Sequence, residues 1–298
     1  MKKLIALLLA AILTFSLTAC GGASPSKPGT DPSGAGKDPV NAPDTPAPAA
    51  ETAIEESVLY EGDGIKITAK SLKADALFGP EVKLLFENNS GKDLTFQCGN
   101  VSVNGYMVDT IMSVDVADGK KANDSLTLLT SELEDGVITD IANVCLSFHI
   151  FETESWDDFK DTDEIEIRTN KYDGYDFTFD ESGTVAYEGK GIKIIVKGVT
   201  DGASIFGPGV IVFIRNDNDR AVTVQTRKMS VNGFMIDPIF SADIAPGKVI
   251  LDDITIMSTD IEENGIEKIE EAELSFHVFY SDNWKELVDT PSQTFTFN

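Results

Sequence analysis

Only three cysteines, two histidines and two tryptophans occur among the 298 residues. Two histidines, His149 and His277, are too few for a His-rich metal site. No Gly-x-Ser-x-Gly nucleophile elbow is present, since Gly202-Ala203-Ser204-Ile205-Phe206 lacks the second glycine. With no readable nucleophile–base pair and no metal-ligand cluster, the expectation is a protein that is not an enzyme and has no cofactor. Basic residues are also scarce: 24 Lys and Arg stand against 50 Asp and Glu, for a net charge of −26. Such a surface repels phosphate backbones and anionic lipid head groups, so nucleic acid is not an expected partner. Alternating strand and helix patterns are missing as well, which disfavours a solute-receptor fold.

The N-terminus is the most distinctive segment. Lys2 and Lys3 precede an almost unbroken apolar run from Leu4 to Leu17, closed by Leu17-Thr18-Ala19-Cys20. A basic start, an apolar stretch and a small-residue cleavage site make a secretory signal peptide over residues 1–19. The run is shorter than the ~20 residues a membrane span needs. A cysteine at the cleavage point, with Leu17 before it and Gly21 after it, resembles the lipobox of bacterial lipoproteins. The resemblance implies cleavage before Cys20 and a diacylglyceryl group on its sulfur. It also implies a protein tethered to the extracytoplasmic face of a bacterial membrane. Two acyl chains hold stably where one is marginal.

Residues 20–52 read as a disordered tether behind the lipidated cysteine. Seven prolines fall between positions 25 and 48, most other residues are small or polar, and no apolar period appears.

The body is one module written twice. Tyr60-Glu61-Gly62-Asp63-Gly64-Ile65-Lys66-Ile67 returns as Tyr187-Glu188-Gly189-Lys190-Gly191-Ile192-Lys193-Ile194. Ser102-Val103-Asn104-Gly105-Tyr106-Met107 returns as Ser230-Val231-Asn232-Gly233-Phe234-Met235. Leu146-Ser147-Phe148-His149-Ile150-Phe151 returns as Leu274-Ser275-Phe276-His277-Val278-Phe279, and Trp156 as Trp284. A period this long means two whole domains, residues 53–182 and 183–298, and not a solenoid. Residues 170–182 are extra in the first copy, where Tyr175 to Phe179 would add a strand or bridge the domains.

Each copy reads as β. Ile65, Ile67 and Ala69 alternate with Lys66, Thr68 and Lys70, and Leu146, Phe148 and Ile150 with Ser147 and His149. This period marks antiparallel strands with one buried face. Asn104-Gly105 and Asn232-Gly233 accept the positive φ of type I′ hairpins. The helix-like pieces are short, Ser131 to Ile141 and Thr259 to Ile269. The expected fold is all-β: two tandem antiparallel immunoglobulin-like β-sandwich domains after the tether. In this pattern residues 53–298 resemble bacterial lipoproteins with immunoglobulin-like domains of unknown function. The resemblance implies a fold and a location, not an activity.

The candidate site residues are few. Cys98 and Cys145 occur in the first copy only, replaced by Thr226 and Glu273 in the second. An oxidising compartment favours a disulfide between them. Alternation opposes it by pointing Cys98 inward and Cys145 outward, unless Gly99 supplies a bulge. Each histidine is expected on the solvent side of its strand, in a structural role. The acidic run Trp156 to Glu164 has no EF-hand spacing and reads as a solvated loop. The tryptophans are expected in the cores, because sandwich cores commonly bury one. Tyr106 and Phe234, at hairpin ends, are the expected contact surface. The leading functional expectation is a non-catalytic binding module at the cell envelope, with a protein or glycan partner. A passive spacer or display stalk is the alternative.

Overall fold

The computed structural model describes residues 51–135, 137–200 and 206–297. Cys20, the signal peptide and all of the tether but its last two residues lie outside the described residues.

The alternating segments become antiparallel ladders. In the first repeat one sheet runs Ser57–Gly62, Ile65–Lys73, Glu81–Asn88, Lys120–Leu128, Thr110–Ile111. The facing sheet is centred on Leu94–Val103 and Asn143–Glu152. Tyr106–Met107 and Ser113–Val116 flank the former, and Asp158–Asp161 and Ile165–Arg168 the latter. The second repeat copies this plan. Thr184–Gly189, Ile192–Val199, Gly209–Asn216 and Val249–Thr255 form one sheet edge to edge. Val222–Val231 and Glu271–Tyr280 centre the other. The protein is all-β, with two antiparallel sandwiches in tandem.

The inward residues of each repeat make its core. Ile67, Leu84, Phe86, Phe96, Phe148 and Ile150 fill the first, and Phe86 lies 5.1 Å from Phe96 and edge-on to Phe148 at 6.0 Å. Ile194, Val212, Ile214, Val224, Phe276 and Val278 fill the second. Each such side chain contributes about 1.5–3 kcal/mol when removed from water.

Two asparagines, Asn104 buried and Asn232 partly exposed, tie the ends of the sandwiches. Asn104 and Asn232 take φ of 52° and 48°, as the hairpin turn requires. Asn104 Oδ1 also accepts from the Ala142 and Asn143 N–H groups, and its Nδ2 donates to the Asp140 carbonyl. Asn232 makes the same three bonds to Glu270, Glu271 and Lys268. The helix-like segments are shorter than expected. They are helical only over Thr130–Asp135 and Ser258–Glu263. Left-handed residues follow, Val137 at φ 55° and Gly265 at φ 63°, and end each helix.

The two repeats share a sheet. Tyr106 pairs in parallel with Val249, and the Val249 N–H donates to the Gly105 carbonyl at 3.0 Å. This single pairing joins the first repeat's sheet around Leu94–Val103 and Asn143–Glu152 to the second repeat's sheet of Thr184–Gly189 to Val249–Thr255, making ten strands. Residues 170–182 form no strand but do bridge the repeats. Phe179 meets Tyr106 edge-on at 5.1 Å and Phe213 at 6.2 Å, over buried Ile195 and Val249. Lys248 reaches across to Glu164 at 3.1 Å. Among the described residues no helix is long and apolar enough to cross a membrane.

Candidate functional site

The hairpin after Asn143–Glu152 turns through Thr153, Glu154, Ser155 and Trp156. The Trp156 N–H donates to the Glu152 carbonyl and the Glu152 N–H to the Asp157 carbonyl, both at 2.9 Å. The same turn recurs, with the Trp284 N–H donating to Tyr280 at 2.9 Å and the Tyr280 N–H to Lys285 at 3.0 Å. Its last position is left-handed, and it is filled by Trp156 at φ 63° and Trp284 at φ 60°. A residue with a Cβ gives up about 1–2 kcal/mol there. A bulky residue held so in both copies points to a constraint on the side chain.

The constraint is visible in where the rings lie. Trp156 stacks on Phe151 at 5.3 Å and 15°, and Trp284 on Phe279 at 5.4 Å and 16°. Each phenylalanine meets in turn the histidine two residues earlier on its strand. The distances are 5.3 Å for His149–Phe151 and 5.1 Å for His277–Phe279. Each repeat thus carries a ladder of three rings on its outer face. The phenylalanines are buried under the tryptophans, which are 72% and 76% exposed.

This corrects the expectation that the tryptophans fill the cores. The left-handed turn folds each indole back over the outer face, while Phe148 and Phe276 occupy the interior. The missed signal lay in the loop. A four-residue hairpin connection ends on a left-handed residue, and in both copies that residue is the tryptophan.

The histidines lie as expected on the outer sides of their strands. Each is fixed by a carboxylate: Nδ1 of His149 lies 2.7 Å from Asp161, and Nδ1 of His277 lies 2.5 Å from Asp289. An ionised carboxylate only accepts, so the Nδ1 facing it carries a proton. His149 Nε2 lies 3.9 Å from Asp158. In the second repeat His277, Glu286 and Asp289 place ligand atoms within 4.8 Å of one another, a spacing that would suit a cation. Arg227 Nε lies 3.6 Å from Asp289 and offsets part of that charge. Counting histidines alone missed these carboxylates, which the register of the short edge strand brings alongside.

The other candidates are distributed differently. Tyr106 is half-buried in the joint against Phe179, and burial raises its phenol above the usual range. It is therefore not the open contact surface expected of it, because the second repeat covers it. Phe234, its counterpart, is 45% exposed. Cys98 and Cys145 are free thiols. A register shift does fall between Gly99 and Ser102, but Cys98 pairs with Phe148 and Cys145 with Ser102. Cys145 lies three residues along its strand from Phe148, the partner of Cys98, so the thiols face opposite sides of the sheet. Cys98 packs against the first core, whereas Cys145 lies beside Asn143. Burial pushes both thiols up, away from the reactive thiolate.

No protein-family model matches the chain, and no curated protein matches it. The YadV chaperone structure is 11% identical and covers 78% of this chain and 100% of its own, with a TM-score of 0.25. The Amycolatopsis orientalis exo-chitosanase CsxA is 12% identical over 72% of this chain and 25% of its own, with a TM-score of 0.23. A protein of unknown function from Porphyromonas gingivalis W83 is 14% identical over 73% of this chain and 89% of its own, with a TM-score of 0.19. Likenesses this slight carry no argument about function, and no enzyme family is identified.

Proposed function

We propose that this chain is a lipid-anchored extracytoplasmic protein that binds a partner at the cell envelope without catalysis, using the two tryptophan ladders. The observation that carries the reading is the pair Trp156 and Trp284. Each is exposed, stacked on a buried ring, and held in a backbone conformation that disfavours it. A pre-positioned indole offers a flat face at little entropic cost, suited to a sugar ring or to an apolar or cationic protein group. The anchor rests on Lys2, Lys3, the Leu4 to Leu17 run and Cys20.

Trp156→Ala with Trp284→Ala tests the binding. The double variant is expected to fold and to lose saturable binding to solubilised envelope components. Cys20→Ala tests the anchor, and is expected to move the protein from the membrane to the soluble fraction. A second reading, a rigid spacer, is favoured by the ten-stranded sheet that joins the repeats. On that reading the double variant changes nothing, because there is no ligand to lose.

A further inference from the structure

The joint between the repeats has two halves, and the chain carries the hairpin and the strand edge that form them twice, although Phe179, which seals the internal joint, belongs to the first copy alone. The donor half is the hairpin Gly105-Tyr106-Met107. The acceptor half is the open side of the strand carrying Lys248, Val249 and Leu251. The second repeat's copy of the donor is Gly233-Phe234-Met235, and there the side chains are free: Phe234 is 45% and Met235 71% exposed. The first repeat's copy of the acceptor is Lys120, Lys121 and Asn123. That strand pairs with Glu81–Asn88 on one side; on the other, only Leu128 and Thr127 are paired, with Thr110 and Ile111. Among the described residues no strand covers the rest of that side. An open strand edge offers unpaired N–H and C=O groups, and an exposed apolar hairpin beside a sheet seeks cover.

We propose that a second copy of this chain supplies both partners, so that Gly233–Met235 of one molecule docks on the Lys120–Asn123 edge of the next. The two surfaces differ, so the contact is heterologous and propagates head to tail instead of closing as a two-fold dimer.

The residues that differ between the internal joint and its proposed copy change together. On the acceptor, Ile195, Phe213, Val249 and Leu251 become Thr68, Leu85, Lys121 and Asn123. On the donor, Cys145, whose thiol feels the Lys248 ammonium, becomes Glu273. Lys248 itself becomes Lys120. Glu273 of one molecule therefore falls against Lys120 of the next, while Lys121, at the Val249 position, is already paired with Glu87 of its own molecule. The internal joint is sealed by Ile195, Phe213, Val249 and Phe179, with Lys248 and Glu164 paired beside them. The copy keeps an apolar tip, Phe234 and Met235, lacks the Phe179 seal and sets Glu273 opposite Lys120, which makes a weaker contact that salt screens. Anchoring on a shared surface would raise the effective concentration of such a contact.

Sedimentation velocity on residues 21–298, made without lipid, tests this. At low salt the mean sedimentation coefficient is expected to rise with concentration through the micromolar range, and high salt should suppress the rise. Met235→Asp, at an exposed position, is expected to weaken association about tenfold or more. Lys120→Glu should do the same, and mixing it with Glu273→Lys should restore hetero-association. One monomeric species at every concentration in low salt would overturn the proposal. So would an association that Met235→Asp and Lys120→Glu, both with unchanged circular dichroism, leave as strong as before.

Discussion

Tyr106 of the first repeat and Val249 of the second stand opposite each other in parallel register, and through them two sandwiches become one sheet. Only one residue pair is matched, so the contact relies on the aromatic seal of Phe179 and Phe213 around it.

That seal sets the first prediction. Tyr106→Ala removes a half-buried ring from the joint and should cost about 2 kcal/mol, below the range for a fully buried aromatic. It should also uncouple the repeats. Calorimetry is expected to show one thermal transition for the native chain and two for the variant. An unaltered single transition would mean that Tyr106 does not hold the joint.

A second prediction concerns the strained tryptophans. Glycine adopts the left-handed conformation freely, so Trp156→Gly relieves about 1–2 kcal/mol of backbone strain. It loses the indole stacked on Phe151, a contribution of similar size. Stability measured in urea should thus change little, while binding through that ladder is lost. A large loss of stability would show the tryptophan to be a structural cap.

The asparagines supply a third. Asn216 is fully buried, and its Nδ2 donates to the Arg220 carbonyl and the Ile244 carbonyl at 2.9 Å each. Asn88 makes the matching bonds to Lys92 and Val116 at 2.7 Å. Asn216→Ala leaves buried carbonyls without a donor and should cost about 2–3 kcal/mol. The urea midpoint should fall with an unchanged slope.

Acid should loosen the connection between the repeats. The Asp180 carboxyl is held down to about 2 by the Ser182 backbone N–H, then by the Ser182 hydroxyl and Lys197. Glu181 is also lowered, first by Lys193 and further by Arg215. A carboxylate whose folded pKa lies below its unfolded value of about 3.9 adds stability above that value. That stability is lost as pH falls through the folded pKa. The midpoint temperature should therefore drop as pH falls from about 4 towards 2. Asp180→Asn should flatten part of that slope, and an identical slope would remove Asp180 from the account.

Much of this architecture is legible in the sequence because it is local. Asn104-Gly105 and Asn232-Gly233 specify their hairpins through positive φ, and alternation around Phe148 and Phe276 specifies the inward face. The opposed faces of Cys98 and Cys145 follow from the same period. The joint was hidden because Tyr106 and Phe234 are near-identical in type and setting along the chain. What separates them is tertiary: Phe179 and the Val249 edge cover one and leave the other open. The ladders were hidden for a different reason. Whether a tryptophan points in or out depends on the handedness of one loop residue, and a general preference for buried tryptophan carries no information about that.

The proposed binding rests on the two exposed indoles of Trp156 and Trp284. The most direct measurement compares binding of solubilised envelope proteins and glycans to residues 21–298 with binding to the Trp156→Ala, Trp284→Ala variant, across a concentration series. The account predicts a discrete, saturable partner for the native chain that the variant loses while its thermal transition stays within a few degrees. A partner retained equally by both chains, or no saturable partner for either, would contradict it.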